Sequence, residues 1–241
     1  MLFTEQTPDK KEQLGNSVTF IEAALSSIHH PNRCIPSSVQ QIVLGRNLTS
    51  VAEQILHMTE KGKEMREAGS TFFINTKTNQ FLLDPVRSGT EQRHFAHNLK
   101  PCEDNTTYIV GGAHGHPLPY PHSIMDIVGL LHKHPKGASY ITDMELVINA
   151  ERLLLLWRSE NTPLLDTDTL IPIVYSSTKM FDDLVKTAQN ELRGRRITDL
   201  QEIAINQTIQ KGLFNSLVSK YGFNVFTGNI RDGILKRIKS L

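Results

Sequence analysis

The feature of this chain that most constrains its fold is a buried strand that ends in two histidines and leads into a short helix. Residues 107–112 have the character of the strand, and residues 124–131 have the apolar character of the helix. His114 and His116 follow the strand one residue apart. Because side chains alternate along extended chain, both imidazoles point to the same side. Asp126 lies in the first turn of the helix, where its carboxylate can approach the two imidazoles.

These residue types are the ones that a catalytic metal requires. Two histidines and one aspartate, with a fourth position left open, form the ligand set of a catalytic zinc, although the same side chains suit other divalent metals. Zinc lowers the pKa of a bound water to about 7, and a neighbouring carboxylate can take a proton from that water and pass it to a leaving amine. The residues therefore predict a catalytic zinc site.

Written as a pattern, His114-Gly115-His116-Pro117 and Ser123-Ile124-Met125-Asp126 read H-x-H-P followed by S-x-x-D. This pattern resembles the JAMM (MPN+) family of zinc metalloproteases, which includes deubiquitinating isopeptidases and bacterial relatives. The resemblance implies that His114, His116 and Asp126 are the zinc ligands. It also implies that Ser123 helps to hold a tetrahedral intermediate or a bound water. The loop between His116 and Ser123 is one residue shorter than in the family pattern.

The family also requires an upstream glutamate as the general base, often in a Glu-x-Gly that opens a strand. Glu67-Ala68-Gly69 stands immediately before the strand-like residues 70–74, so the resemblance implies that Glu67 is this base. The alternative for Glu67 is a place on the solvated face of the preceding charged helix. Glu91 and Glu103 are rival candidates, but each lies in a polar loop. The resemblance extends over roughly residues 51–158.

Several of these polar residues also have simpler structural explanations. Ser123 is a good N-cap for the helix that follows it, and the helix dipole favours an acidic residue in the first turn. His132 and His134 repeat the H-x-H-P pattern, but no S-x-x-D follows in register, so we interpret them as surface residues. His94 and His97, three residues apart, could bind a metal but are more typical of a solvent-exposed loop.

The periodicity of the chain predicts an α/β fold with a mixed, curved β-sheet, flanking helices and a helical C-terminal extension. The resemblance implies a JAMM-like sheet with an architecture similar to that of cytidine deaminases. We predict an N-terminal helical segment over residues 1–48, a catalytic core over 49–177 and the helical extension over 178–241. A single helix over residues 143–157 competes with the two strands predicted there. The predicted helices are 18–28, 51–65, 124–131, 180–192, 198–221 and 230–238, and the predicted strands are 71–75, 80–83, 107–112, 139–148, 152–157 and 173–175.

Charge and composition limit the expected partners and compartment. The net charge of the 241 residues is +1 and no basic stripe is present, so nothing indicates a nucleic-acid partner. No apolar run approaches the length that spans a membrane, and the N-terminus lacks the pattern of a signal peptide. Cys34 and Cys102 are too few for a disulfide framework. We therefore expect a cytoplasmic protein, with secretion by another signal left open.

The function that the resemblance implies is zinc-dependent hydrolysis of a peptide or isopeptide bond, with ubiquitin or a ubiquitin-like protein as the substrate class. The alternative is a non-catalytic scaffold of the same fold that acts through protein contacts. An amidohydrolase barrel also uses an H-x-H pair, but its eight strand–helix units alone take about 250 residues, and the order of elements here does not supply them. The helices from about Thr178 onward either recognise the protein substrate, which we expect, or only cover one face of the sheet.

Overall fold

The structure is a computed structural model of the chain. The residues that it describes are 17–30, 32–61, 66–89, 95–98, 105–133, 140–193 and 198–241.

Ten strands and five helices make up the described part of the chain. In chain order they are β1 (Ser17–Thr19), α1 (Phe20–His29), β2 (Gln41–Val43), α2 (Gly45–Lys61), β3 (Ala68–Asn75), β4 (Gln80–Leu83), β5 (Arg87–Ser88), β6 (Thr107–Gly115), α3 (Ile124–Leu131), β7 (Tyr140–Ile148), β8 (Leu153–Trp157), α4 (Thr167–Glu191), α5 (Asp199–Tyr221), β9 (Asn224–Asn229) and β10 (Ile234–Ile238).

All ten strands belong to one mixed sheet that curls into a half-barrel. The strand order is β1-β2-β10-β9-β8-β7-β6-β3-β4, and β5 pairs with β3. The pairs β1–β2 and β6–β7 are parallel, and the other pairs are antiparallel. The predicted α/β class with a mixed, curved sheet is confirmed at this level.

Helices cover both faces of the sheet, as the alternation along β8 makes clear. Leu153, Leu155 and Trp157 point into a core that the sheet shares with α1 and α2. Leu154 and Leu156 point into a second core, shared with α3, α4 and α5. Because both faces are covered, β8 is a continuous apolar run with no polar alternation.

Local sequence signals set where three of the helices begin. In each case a capping residue accepts a hydrogen bond from the backbone N–H three residues later, and the side chain there bonds back to the capping residue. Two backbone N–H groups that have no helical partner are satisfied in this way. The pairs are Thr19–Glu22 for α1, Ser123–Asp126 for α3 and Thr198–Gln201 for α5.

Two strand predictions in the middle of the chain are confirmed. Residues 71–75 and 80–83 form the antiparallel hairpin of β3 and β4. Residues 140–148 and 153–157 are the strands β7 and β8, so the competing single helix over 143–157 is wrong. The reason is tertiary, because β7 is hydrogen-bonded to β6 on one edge and to β8 on the other.

The strand predicted over residues 173–175 is wrong, because these residues lie inside α4. Asp166 caps this helix by accepting a hydrogen bond from the backbone N–H of Thr169. Pro172 lies in the second turn of α4, where its missing N–H removes one helical hydrogen bond, yet the helix continues through it. A helix therefore continues through residues that have β-branched, strand-like character.

The helix predicted over residues 230–238 is also wrong. Ile234 to Ile238 form β10, which pairs with β9 on one edge and β2 on the other. Gly233 has φ +60°, and the Asn229 side chain accepts a hydrogen bond from the backbone N–H of Asp232, so this stretch turns tightly. Pairing on both edges outweighs the local helical periodicity.

The segment over residues 178–241 is consequently helical only as far as Tyr221, after which β9 and β10 fill the sheet between β8 and β2. The predicted division of the chain at residues 48 and 177 stays a prediction. One sheet nevertheless takes strands from all three predicted segments.

Helices α4 and α5 pack against each other, and their outer part is largely exposed. We define the helical arm as residues 178–193 and 198–212, none of which is fully buried. The buried residues of α5 lie beyond it, from Leu213 to Tyr221. None of the helices in the described ranges is both long enough and apolar enough to cross a membrane. This includes α4 and α5.

Candidate metal centre

The end of β6 brings the two histidines of the motif together. His114 is 4% exposed and His116 is 9% exposed. Their Nε2 atoms lie 3.0 Å apart, and the backbone N–H of His116 is held by the carbonyl of Ile148 at the end of β7. The prediction that the two imidazoles point to the same side is confirmed.

The outer nitrogens of both rings are occupied by acceptors. Nδ1 of His114 lies 2.8 Å from Oε1 of Glu145, and Nδ1 of His116 lies 3.3 Å from the carbonyl oxygen of Tyr120. A carbonyl and an ionised carboxylate only accept hydrogen bonds, so both Nδ1 atoms carry the hydrogen. In the neutral rings each Nε2 atom then carries a lone pair, as metal-binding histidines require.

Asp126 lies against the same two nitrogens. Its Oδ2 atom is 3.6 Å from Nε2 of His114 and 4.0 Å from Nε2 of His116. The same oxygen accepts a hydrogen bond of 2.6 Å from the backbone N–H of Ser123, and Ser123 Oγ accepts from the backbone N–H of Asp126 at 3.2 Å. Ser123 is therefore the N-cap of α3, and through this capping pair the start of α3 holds the aspartate at the centre.

Glu67 lies immediately before β3 and reaches the centre from the other side. Its Oε1 atom is 3.9 Å from Nε2 of His116, and its Oε2 atom accepts a hydrogen bond of 2.8 Å from the backbone N–H of Phe95. The Phe95 ring packs over Gly69, where a Cβ atom would lie only 2.6 Å from the ring and from the carbonyl oxygen of Ala113. Gly69 thus permits the chain that orients Glu67 to lie directly on the sheet.

The centre brings several hydrogen-bond acceptors close together. Glu67, His114 and His116 each offer one ligand atom, and these three atoms lie within 4.8 Å of one another. Asp126 adds a fourth acceptor close to both imidazoles. Two nitrogen lone pairs that face each other at 3.0 Å repel unless a proton or a metal ion lies between them. The group could therefore hold a metal ion.

The pKa values of the centre reflect the same excess of negative charge. Burial lowers the pKa of His114, but Asp126 and Glu145 outweigh burial and raise it well above its ordinary value. Burial and the neighbouring His114 lower the pKa of His116. Burial opposes the charge of Asp126, yet the adjacent histidines hold the pKa of that carboxyl well below its usual range.

Sequence reasoning missed Glu145, the partner of His114. Burial raises the pKa of Glu145, but hydrogen bonds from His114 and His97 lower it to about 2, so the carboxylate is ionised. Nε2 of His97 lies 3.6 Å from Oε2 of Glu145. The available signal was a charged residue inside the apolar strand β7, because a buried charge needs a partner.

Sequence reasoning also missed His122. Its Nε2 atom is 2.8 Å from the carbonyl oxygen of Glu145, and its ring stacks on Phe214 of α5. Burial lowers the pKa of His122 to about 4, so the ring is neutral. This histidine connects β7, the loop before α3 and the C-terminal helices.

Glu91, Glu103, His94 and His134 fall outside the described residues, so their predicted roles stay predictions. His132 is half-buried at the end of α3, where its Nε2 atom lies 3.2 Å from Oγ1 of Thr167.

Comparisons with known proteins add no family assignment. No protein-family model matches the chain, and no curated protein matches it either. The case for a metal centre therefore depends on the geometry of the residues themselves.

Proposed function

We propose that this protein is a zinc-dependent hydrolase of peptide or isopeptide bonds, of the JAMM type. The observation that carries the proposal is the pair of Nε2 atoms 3.0 Å apart, with carboxylate oxygens beside them. Acceptors on the outer nitrogens hold both rings with Nε2 towards the other ring, so a proton or a metal ion must lie between them. The carboxylates raise the pKa of His114 and so favour positive charge at this point, and a divalent cation satisfies all of these acceptors at once.

In this proposal His114, His116 and Asp126 hold the metal. Two imidazoles and one carboxylate leave a coordination position for water, which is the ligand set of catalytic zinc. When bound, zinc supplies Lewis acidity that activates water and polarises a carbonyl at neutral pH. The buried Glu145 carboxylate keeps His114 in the tautomer and orientation that this role needs.

Glu67 is the general base of the proposed reaction. It accepts the proton of the attacking water and returns it to the leaving nitrogen, the usual task of such a carboxylate. The Phe95 backbone N–H holds one oxygen of Glu67, and the other oxygen faces the histidines. This arrangement leaves one carboxylate oxygen directed at the centre.

Ser123 supplies a hydrogen-bond donor in addition to its capping role. Its Oγ atom accepts from the backbone N–H of Asp126, and the hydroxyl hydrogen can still be donated. A donor in this position would stabilise negative charge that develops on the carbonyl oxygen of the substrate. Capping and catalysis are therefore compatible roles for one hydroxyl group.

The proposed substrate is a protein or peptide, with ubiquitin or a ubiquitin-like protein as the class that the JAMM resemblance implies. The helical arm is the part of the chain that we propose recognises the protein substrate. It lies on the face of the sheet that carries α3, and it exposes apolar side chains such as Met180, Leu184 and Leu200. No acidic or histidine side chain of the arm belongs to the candidate centre.

Metal analysis of the purified protein tests the proposal. After reconstitution with zinc and removal of the excess, we expect one zinc per chain, measured by mass spectrometry of the metal. His114→Ala should lose it, and His132→Ala, which alters the second H-x-H-P run, should keep it. Absence of zinc from the parent protein, or its loss only from His132→Ala, would refute the site. Zinc binding without hydrolysis of any peptide or ubiquitin fusion would favour the scaffold alternative.

A further inference from the structure

A cavity lies beside the candidate centre, between the start of α3 and the pair formed by α4 and α5. Its volume is about 270 Å³, and apolar side chains form most of its wall, namely those of Ile127, Phe181, Leu213, Phe214 and Leu217. A cavity of about 150 Å³ is enough to bind benzene, and sites for drug-sized ligands start at about 300 Å³. The cavity thus has room for one large apolar side chain but not for a large cofactor.

The wall of the cavity carries no formal charge. The described residues that line it include no Asp, Glu, Lys or Arg. His122 lines it too, and because its Nε2–H donates to the Glu145 carbonyl and its ring is stacked on Phe214, it presents a neutral aromatic surface. Charged groups would lose their hydration in such a cavity without compensation. An uncharged, apolar group is the ligand that the wall suits.

The cavity and the metal centre share the first turn of α3. Ser123 and Met125 line the cavity, whereas Asp126, the next residue, directs its carboxylate towards the two histidines. An extended peptide advances about 3.3–3.6 Å per residue. Because the cavity and the centre lie on one helical turn, a substrate side chain in the cavity belongs to a residue close in sequence to a bond held at the centre.

The mouth of the cavity suits ligands of varied shape. Met125 lies there with 63% of its surface exposed, and Thr178 of α4 is also exposed. Methionine is flexible and polarisable, so it adapts to different apolar groups. Because Met125 is largely exposed, a ligand that covers it would remove apolar surface from water.

We propose that this cavity is a specificity site that binds one large apolar side chain, of Phe, Met or Leu, next to the hydrolysed bond of the peptide substrate. The role in substrate choice rests on the proposed function. Binding of the apolar group does not rest on it, because Ser123 is the one lining residue that belongs to the proposed catalytic machinery.

The binding step can be measured without activity. N-acetyl-phenylalanine amide is titrated into protein with ¹³C-labelled methionine methyl groups, with N-acetyl-glycine amide as the matched probe and Met125→Leu to assign the signal. We expect the phenylalanine probe to move the Met125 signal and the glycine probe to leave it unchanged. Thr178→Trp, which fills the mouth from an exposed position, should weaken binding at least tenfold. Asp182→Trp, exposed on α4 and outside the cavity, should not.

An unmoved Met125 signal, or equal binding to the parent and Thr178→Trp, would overturn the proposal. The same titration with His114→Ala tests the cavity separately from the proposed function, because the probe should still bind when the metal site is lost. In peptides that differ at one residue near the cleaved bond, we expect Phe, Met and Leu to raise kcat/KM over Gly, and Thr178→Trp to abolish that preference. Hydrolysis without this preference would refute the specificity role. Probe binding without any hydrolysis would refute the proposed function and support the cavity as an apolar binding site.

Discussion

Replacing Glu145 by glutamine should weaken zinc binding without preventing folding. The carboxylate of Glu145 is buried in β7 and accepts the Nδ1–H of His114 at 2.8 Å. Glutamine has nearly the same shape and still offers an oxygen acceptor, so the packing of β7 is preserved. What changes is the charge of the group that orients His114 and raises its basicity.

The size of the effect follows from this hydrogen bond. A hydrogen bond to a charged group contributes about 1.5–3 kcal/mol, compared with about 0.5–1.5 kcal/mol for a neutral pair. The substitution should therefore cost about 1.4 kcal/mol of zinc-binding free energy, which is about tenfold in Kd. Partners of this kind typically change metal affinity by about 10–100-fold. For Glu145→Ala the loss of zinc affinity should lie near the upper end of this range, because the variant leaves the buried Nδ1–H of His114 without an acceptor.

Competition with a chelator gives the zinc affinity of each variant, and circular dichroism shows whether it is folded. Glu151→Gln is the matched control, because Glu151 is exposed in the turn that follows β7. At saturating zinc, kcat of Glu145→Gln should stay close to that of the parent. A folded Glu145→Gln variant with unchanged zinc affinity would refute the orienting role, and a loss of thermal stability alone would make Glu145 a purely structural residue.

Three further predictions concern other parts of the molecule. Glu67→Gln should keep zinc but lower kcat by about 10²–10⁴-fold, and loss of the metal would instead make Glu67 a ligand. Ser123→Ala and Thr198→Ala each remove a helix cap, so each should lower the unfolding free energy by about 1 kcal/mol. Only Ser123→Ala should also lower kcat, by about 10²-fold or more. If both variants have the same kcat, Ser123 acts as a helix cap alone. Burial raises the pKa of Asp143 to about 6 despite two neighbouring arginines, whereas an unfolded chain has about 3.9. Stability from this group is thus lost as the pH rises from 4 to 6. In urea denaturation the unfolding free energy of Asp143→Asn relative to the parent should rise by about 2 kcal/mol over that range, and a flat difference would contradict the raised pKa.

The motif was predictable from the sequence because its geometry is local. His114 and His116 lie on one strand with a fixed period, and Ser123 and Asp126 lie within one turn of one helix. Glu67 was also predictable in position, since the glycine two residues later marks a close approach of another chain segment. The JAMM resemblance supplied the roles of these residues, and those roles stay predictions.

The partners of the motif were not predictable in the same way, because they come from distant parts of the chain. Glu145 pairs with His114 across 31 positions of sequence, and Phe95 reaches Glu67 across 28. Which polar residue of a strand meets which histidine depends on the strand order, and β7 lies beside β6 only through a parallel crossover. The missed hairpin of β9 and β10 has the same cause, since its strands are stabilised by pairing with β8 and β2.

The C-terminal helices help to determine the geometry of the centre although they contribute no ligand to it. Gln207 of α5 donates a hydrogen bond of 3.1 Å to the carbonyl of Pro119, and Phe214 stacks on His122. Both contacts fall in the loop between the histidines and α3, whose start holds Asp126 in place. This loop contains Pro117, Pro119 and Pro121, which restrict its backbone. Two contacts from α5 therefore help to set the distance between the histidine pair and the aspartate, and a motif that is local in sequence depends on residues near the end of the chain.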